Sequence, residues 1–318
     1  MKRKILVITG PTASGKSALA VSLAKLVGGE VISADSMQIY KEMDIGTAKP
    51  EISEMEGIPH HILDFLSPDK SFTVAEFQGL CAEKIEEITR RGKLPIIVGG
   101  TGLYINSILK PWSFSETPPS DEIREKIRII HDEKGKEHLY NMLMQCDPES
   151  AEKIHPNNVK RVMRALEVYM SSGIKKSTLD MISQQGEIPY DPIVIGIKMD
   201  RGKLYERINR RVDMMMECGL VEEVRNLYEK GYDLDLQSMQ GLGYKEIVRY
   251  LKKELSLDEA VEILKRDTRR FAKRQITWFK RLDDIKWIDP EDYADFESMV
   301  QEILELIKAE GYVDNVGI

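Results

Sequence analysis

The sequence predicts an α/β fold: a P-loop-type parallel sheet core with an inserted all-helical domain and a helical C-terminal region. Three observations predict it. A glycine-rich loop joins an apolar run to a helical pattern, short apolar runs then alternate with further helical patterns, and a long interval separates the fourth run from the fifth. Strands that alternate with helices form parallel sheets covered on both faces, and the interval is too long for one crossover.

Six apolar runs predict the strands, and most of them end in small or acidic residues. They cover residues 4–9, 30–35, 61–65, 94–100, 192–199 and 285–289. Each is short and rich in Ile, Val and Leu, as expected of strands that are buried on both faces.

Apolar residues at helical spacing predict the helices that cover this sheet. In the core they span residues 17–27, 74–91, 204–216, 220–230, 244–251, 257–281 and 295–310, and in the insertion 122–133, 136–145 and 158–171. We therefore expect a core of residues 1–112 and 192–318, interrupted by a helical domain of residues 113–191.

Composition narrows the class of protein. The chain has 318 residues, of which 42% are hydrophobic and 31% charged, values typical of globular proteins. The sequence lacks a long apolar run, which predicts no membrane partner. Three separated cysteines argue against a disulfide framework and a zinc site, so we expect a cytoplasmic protein. We also expect it to be a monomer.

Charge is unevenly distributed along the chain. The net charge is −7, yet residues 265–281 contain eight basic residues and one acidic residue. This segment therefore carries +7 and the remainder −14. Such segregation predicts a local surface that binds a polyanion on an otherwise acidic protein.

The first glycine-rich loop matches the pattern G-x-x-x-x-G-K-[ST]. It consists of Gly10, Pro11, Thr12, Ala13, Ser14, Gly15, Lys16 and Ser17. Glycines let the backbone wrap closely around phosphate, and the helix that follows points its N–H groups at the anion. Lys16 adds a positive charge, and the hydroxyl of Ser17 is a candidate Mg²⁺ ligand. The motif predicts binding of a di- or triphosphate.

The second and third predicted strands bring carboxylates to the same edge of the sheet as the phosphate loop. Asp35 is the candidate base or metal ligand, with a helix-capping role as its structural alternative. Ser36, Met37 and Gln38 follow it, and the amide of Gln38 suits either a base edge or a solvated turn. Asp64 is a candidate metal ligand, although a turn-forming role fits the following Pro68 equally well.

The fourth strand and the helix after the fifth supply the remaining candidates. Thr101, within a Gly-Gly-Thr-Gly sequence, presents a hydroxyl to ligand unless these glycines mark only a tight turn. Arg211 lies within reach of the same edge, and a surface ion pair is its structural alternative.

One face of the helix over residues 257–281 is basic. Arg266, Arg270, Lys273 and Arg274 share that face, while Phe271, Trp278 and Phe279 either pack inward or stack on unpaired bases. Lys160, Arg161 and Arg164 form a second, smaller basic patch in the insertion. We expect both patches to bind a polyanion rather than only solvent.

Seven motifs in this order resemble the bacterial tRNA dimethylallyltransferase family. They are GPTASGKS, ADSMQIY (34–40), DIGTAKP (44–50), VGGTGLY (98–104), RALEV (164–168), GLGYKE (241–246) and AKRQITWFK (272–280). The resemblance implies transfer of a dimethylallyl group from dimethylallyl diphosphate to N6 of adenosine 37, in the anticodon stem-loop of tRNA. The phosphate loop would then hold the leaving diphosphate, with Mg²⁺, rather than ATP.

The resemblance also implies roles for individual residues. Asp35 resembles the base that deprotonates the adenine amine, and Ser36, Met37 and Gln38 line the base pocket. Thr101 resembles a hydroxyl that contacts substrate, and Arg211 a diphosphate ligand. Arg124 occupies a position at which the inserted domain contacts tRNA.

Three other functions remain compatible with the residues. A small-molecule kinase shares the fold and phosphate loop but requires ATP. An isopentenyltransferase that acts on free adenine nucleotides would not need a basic helix or an insertion. A non-catalytic RNA-binding protein would leave Asp35 and Thr101 without a role.

Overall fold

The computed structural model describes residues 2–111, 121–183 and 186–312. The chain divides into two compact units, one formed by Met1–Leu109 with Pro189–Ile318 and the other by Lys110–Ile188. The first predicted domain boundary, at residues 112 and 113, lies outside the described residues.

The first unit is built on a six-stranded parallel sheet. Its strands are β1 (Arg3–Thr9), β2 (Glu30–Ser33), β3 (His60–His61), β4 (Pro95–Gly99), β5 (Tyr190–Ile197) and β6 (Ile285–Ile288), in the order β3-β2-β4-β1-β5-β6. Thr9, the last residue of β1, pairs with Gly99 of β4 and Gly196 of β5. The loops after these strands therefore begin at the same level. The predicted α/β class with a parallel core is confirmed.

Helices cover both faces of this sheet. They are α1 (Lys16–Val27), α2 (Ile52–Met55), α3 (Val74–Arg90), α4 (Gly102–Leu109), α9 (Arg201–Glu217), α10 (Leu220–Glu229), α11 (Tyr244–Leu251), α12 (Leu257–Phe279) and α13 (Phe296–Ala309). The second unit contains α5 (Asp121–Cys146), α6 (Pro148–Lys153), α7 (Val159–Ser172) and α8 (Lys176–Ser183). In the described part of the chain, no helix is long and apolar enough to span a bilayer.

Strand β1 shows how the sequence pattern produces two cores. Ile5 and Val7 point to the face covered by α3, α4 and the helices α10 to α12, whereas Leu6 and Ile8 point to the face covered by α1 and α13. Helix α1 follows β1 and α4 follows β4, so the chain leaves two adjacent strands toward opposite faces. A crevice opens at the carboxyl ends of such strands, and ligands bind there in open α/β sheets.

One local prediction is corrected and another is confirmed. The predicted third strand, residues 61–65, is only His60–His61, because Ile62 and Asp64 have positive φ values of 57° and 54° and turn the chain out of the sheet. The two helices predicted over residues 122–133 and 136–145 are confirmed, because the helical run Asp121–Cys146 is divided at Gly135, where φ is 79° and ψ is 172°.

The second unit has its own apolar core between α5 and α7. Ile127, Leu139, Leu143, Val162 and Leu166 are all buried in it. These residues recur at helical spacing, which is why the sequence predicted the helices of this unit. The short helices α6 and α8 were not predicted.

A buried carboxylate stabilises the sheet at its amino edge, away from the crevice. Glu30, at the start of β2, is 3% exposed and accepts hydrogen bonds from His61 (2.7 Å), Arg91 (2.7 Å) and Lys93 (2.9 Å). Burial alone would raise the pKa of Glu30, but the bonds from Lys93, His61 and Arg91 outweigh it and hold the pKa at about 2.

We expect Glu30→Gln to lower the free energy of unfolding at neutral pH by about 2–3 kcal/mol, because three charge-assisted bonds are lost or weakened. The folded-state pKa lies below the unfolded value, so this contribution is present above about pH 4.5 and disappears as pH falls toward 2. Urea unfolding of the wild type and the variant at several pH values measures this contribution to the free energy of unfolding. Glu87→Gln, which removes a surface pair with Lys84, is the control and should show no comparable loss.

Candidate active site

The phosphate loop follows β1 and adopts a conformation that requires its glycines. Gly10 has φ +152°, and a Cβ there would lie 2.8 Å from the carbonyl oxygen of Ile197. Gly15, the residue before α1, is left-handed with φ +89°. The loop therefore passes directly over the end of β5 and delivers the N-terminus of α1, with its unpaired N–H groups, to the crevice.

Three charged side chains meet at this crevice. Lys16, Arg211 and Asp35 all line the crevice, and all three are half-buried. Burial is the main cause that lowers the pKa of Lys16 to about 8; the charge of Arg211 also lowers it, and Asp35 opposes the shift. Burial likewise lowers the pKa of Arg211. Two poorly hydrated cations that repel each other favour a bound anion.

Arg211 therefore does not have the surface role that was its structural alternative. It lies on α9 and lines the crevice, and among the described residues no carboxylate lies within ion-pair distance of its guanidinium. Lys16 folds back so that its ammonium donates to the carbonyl of Pro11 at 2.7 Å. Ser17 is exposed in the first turn of α1 beside it.

The loop after β2 presents Asp35. No helix follows, so Asp35 is not a helix cap; instead Oδ1 accepts the N–H groups of Met37 (2.8 Å) and Gln38 (3.3 Å). Both of these bonds from described residues end at one oxygen, which leaves Oδ2 for another partner. The side-chain amide of Gln38 is engaged by Ser33 and by the carbonyls of Thr47 and Ala48. It therefore holds the loop as well as lining the crevice.

Thr101 lies in the loop after β4 and is joined to the loop after β2. Its Oγ1 accepts the N–H of Ser36 at 3.1 Å and donates to the hydroxyl of Ser36 at 3.3 Å. The N–H of Thr101 also donates to the carbonyl of Ala34 at 3.3 Å. The glycines around Thr101 thus do more than make a turn, because they bring its hydroxyl beside the Asp35 loop.

The segment over residues 44–50 forms another wall of the crevice. Glu223 of α10 accepts the backbone N–H groups of Asp44, Ile45 and Gly46 and the hydroxyl of Tyr244, the last at 2.6 Å. Lys49 is tied to Asp44 and to Asp64, both at 2.6 Å. Asp64 is thus a turn residue with an ion-pair partner, and it does not line the crevice.

Two connected cavities open from these residues. The smaller, of about 100 Å³, lies between the phosphate loop and β2, and the larger, of about 310 Å³, extends between α9, α11 and α12. They share Thr12, Asp35, Thr47, Arg211 and Phe271. The larger one also has apolar walls, which include Ile208, Val212, Met215, Leu242 and Leu264. A cavity lined by Lys16 and Arg211, whose charges suit an anion, therefore adjoins a chamber with apolar walls, and Asp35 lines both.

Sequence reasoning missed Gln275, which lies in this site. It is buried on the inner face of α12; its Oε1 accepts the N–H of Thr12 at 2.9 Å, and its Nε2 donates to the carbonyl of Gly100 at 2.8 Å. The available signal was its helical spacing with Phe271 and Trp278, which places all three on one face.

The basic face of α12 is less charged than its sequence suggests. Arg266 and Arg270 both pair with Asp267, and Lys265 pairs with Asp213 of α9. The excess of positive charge counted over residues 265–281 is therefore partly neutralised by Asp213 and Asp267. Lys273 and Arg274 are exposed and have no carboxylate partner among the described residues. Phe279 is buried, so it is not available for base stacking.

Within the second unit, a buried acid organises the predicted arginines. Glu167 of α7 pairs with Arg124 of α5 and with Arg164 of its own helix, each at 2.8 Å. Lys160 and Arg161 are exposed in the first turn of α7. Lys160 lines a surface depression with Arg124 and Arg164.

Comparisons with known proteins identify the family of this chain. The family model described as IPP transferase matches residues 38–282. A tRNA dimethylallyltransferase of Acetivibrio thermocellus is 54% identical over 94% of this chain and 96% of its own, and one of Bacillus cytotoxicus is 51% identical over 92% of each.

The solved structures that resemble this chain include transferases of the same kind. The full-length tRNA isopentenylpyrophosphate transferase of Bacillus halodurans is 44% identical, covers 97% of both chains and has a TM-score of 0.74. A eukaryotic dimethylallyltransferase, crystallised while acting on tRNA, is 32% identical over 97% of this chain and 79% of its own, with a TM-score of 0.84. The chain therefore belongs to the IPP transferase family.

Proposed function

We propose that this protein transfers the dimethylallyl group of dimethylallyl diphosphate to N6 of adenosine 37 in the anticodon stem-loop of tRNA. The observation that supports this most directly is the placement of Asp35 between an anion site and an apolar chamber. A kinase of this fold would not need the chamber, and a non-catalytic protein would not need the unpaired oxygen of Asp35.

The donor's diphosphate suits the phosphate loop. Backbone N–H groups at the start of α1, the ammonium of Lys16 and the guanidinium of Arg211 neutralise the charge that grows on the leaving group. Apolar side chains of the larger cavity suit the five-carbon group and exclude water from its reactive carbon.

Mg²⁺ fits this site only as an ion held jointly with the diphosphate. The described residues contain no cluster of three acidic, His or Cys ligands, but the Ser17 hydroxyl is exposed beside the loop, and Mg²⁺ commonly binds one or two protein oxygens plus phosphates. When bound, it would supply further neutralisation of the leaving diphosphate.

Asp35 would act on the acceptor. The adenine N6 amine is a poor nucleophile, because its lone pair is delocalised into the ring. As N6 bonds to the first carbon of the dimethylallyl group, the carbon–oxygen bond to diphosphate breaks and one N6 proton passes to Oδ2 of Asp35. Thr101 and Ser36 hold the loop from which this oxygen projects. The base must leave its stack to reach the site.

Two surfaces suit the RNA backbone. The first comprises Lys273 and Arg274 of α12, together with Arg270, and the second comprises Arg124, Lys160, Arg161 and Arg164 of the second unit. Exposed basic residues neutralise phosphates and release counterions, so acceptor binding should weaken steeply as salt rises.

Nucleoside mass spectrometry tests the function. Unmodified tRNA is incubated with the protein, Mg²⁺ and dimethylallyl diphosphate without ATP, and N6-dimethylallyl adenosine at position 37 is the expected product. Product on AMP but not on tRNA would instead indicate an enzyme of free nucleotides. No product with either acceptor, together with phosphoryl transfer from ATP, would indicate a kinase.

The pKa of Lys16 predicts a pH dependence of donor binding. A bound diphosphate favours the charged ammonium, so affinity should be nearly constant below pH 8 and should fall as pH rises above it, by up to about tenfold per unit. Calorimetric titration of dimethylallyl diphosphate without tRNA at pH 7, 8 and 9 measures it. Lys16→Met should bind weakly at every pH and lose this slope; retention of the slope would show that another group is responsible.

A further inference from the structure

One side-chain amide joins the two loops that serve opposite halves of the proposed reaction. Gln275 accepts the N–H of Thr12, in the phosphate loop, and donates to the carbonyl of Gly100, in the loop after β4. It is 5% exposed and lines the smaller cavity with Lys16 and Asp35. Its contacts therefore reach the phosphate loop, proposed to bind the diphosphate, and the loop after β4, which is bonded to the Asp35 loop.

The fit around this amide is close. A Cβ on Gly100 would lie 2.2 Å from Nε2 of Gln275, so only glycine allows the amide to approach the backbone there. One turn later on the same helix face, Trp278 lies against Gly102, where a Cβ would be 2.4 Å from Cδ1 of the ring. Helix α12 is therefore packed tightly onto the loop after β4 at two successive turns.

Movement of Gly100 would be passed on to the Asp35 loop. Thr101 is the next residue, and its hydroxyl and N–H are bonded to Ser36 and to the carbonyl of Ala34. Asp35 lies between these two residues. The spacing of Thr12 from Gly100 thus also sets the spacing of the phosphate loop from Asp35.

The chemistry of the position explains why it is a glutamine. The bridge needs one acceptor and one donor on a long neutral side chain. An ionised carboxylate would face the Gly100 carbonyl without a proton to donate, and an ammonium would add a third positive charge beside Lys16 and Arg211. An apolar side chain would leave the partly buried N–H of Thr12 and the buried carbonyl of Gly100 without this partner.

We propose that Gln275 is a positioning residue that fixes the distance between the leaving diphosphate and Asp35. This inference depends on the proposed prenyl transfer. Misplacement of reacting groups by about 1 Å can cost on the order of 100-fold in rate. The effect should therefore fall on turnover rather than on the affinity for either substrate.

Kinetics of Gln275→Met test this assignment. We expect kcat to fall about 10- to 100-fold, while the Kd of tRNA stays within about twofold of the wild type. Gln237→Met is the matched control: this glutamine also bonds two backbone groups, the N–H and carbonyl of Phe72, but lies outside both cavities. It should lose stability without losing kcat.

Gln275→Glu provides a second variant of nearly the same shape. It keeps the acceptor for Thr12 and loses the donor to Gly100, so it should remain folded and still lower kcat. Folding is checked by circular dichroism. A folded variant of either kind with kcat within twofold of the wild type would overturn the assignment, whereas an inactive wild type would overturn the proposed function itself.

Discussion

Asp35→Asn should lower kcat by about 10² to 10⁴, the usual contribution of a general base, while the Kd of tRNA barely changes. Asparagine retains an oxygen that can accept the N–H groups of Met37 and Gln38, so the loop is preserved. What it lacks is an oxygen that can take a proton from the adenine amine. Single-turnover kinetics with saturating dimethylallyl diphosphate measure the chemical step separately from product release. Asp35→Ala should lose at least as much.

A matched control separates this effect from loop disruption. Asp200 also follows a parallel strand and also accepts two backbone N–H groups, those of Gly202 and Lys203. It caps α9 and lines neither cavity. Asp200→Asn should leave kcat unchanged, and an Asp35→Asn enzyme with near-normal turnover would remove Asp35 from the mechanism.

Arg211→Met should lower kcat/KM for dimethylallyl diphosphate by about 10²- to 10³-fold, the effect of losing one preorganised donor to a developing anion. Stability should not fall with it. Burial lowers the pKa of Arg211, so the folded protein disfavours its charge, and the methionine side chain replaces the apolar stem without that cost. The melting temperature should therefore equal or exceed that of the wild type, while activity collapses.

Arg210→Met is the control for this prediction. Arg210 is the neighbouring residue on α9 and is exposed, so its loss should leave kcat/KM for the donor unchanged. A large fall in melting temperature for Arg211→Met would indicate that the guanidinium has a structural partner, and unchanged donor kinetics would remove it from the anion site. An active site that destabilises its own fold is a common compromise between stability and function.

The sequence predicted correctly those elements that depend mainly on residues close together along the chain. The strand–loop–helix arrangement around residues 10–17 follows from glycine spacing and apolar periodicity, and so do the alternating strands and the helical insertion. The third strand shows where this fails. Residues 61–65 are apolar enough for a strand, yet the chain turns at Ile62 and Asp64, where φ is positive, and Asp64 pairs with Lys49 of another turn.

The charge of the basic helix α12 could likewise not be predicted from its own segment of sequence. Counting residues 265–281 gave one acid for eight bases, but Asp213 of α9 pairs with Lys265 across the helix contact. The role of Gln275 in that helix could not be predicted from the sequence for a related reason. Its role depends on Thr12 and Gly100, which are far from it in sequence and meet only through the packing of α12 on the loops.

The parallel sheet, the glycine-rich loop and the family could be predicted from the sequence, because short segments carry each of them and can be interpreted without distant residues. Which groups share a low-dielectric space depends on packing, and the three-dimensional structure was needed to show it. Burial lowers the pKa of both Lys16 and Arg211, and the charge of Arg211 lowers that of Lys16 further. Hydrogen bonds of Thr101 and Gln275 join the loops after β2 and β4 and the phosphate loop. Burial and charge proximity act through space, and contacts over many residues fix them.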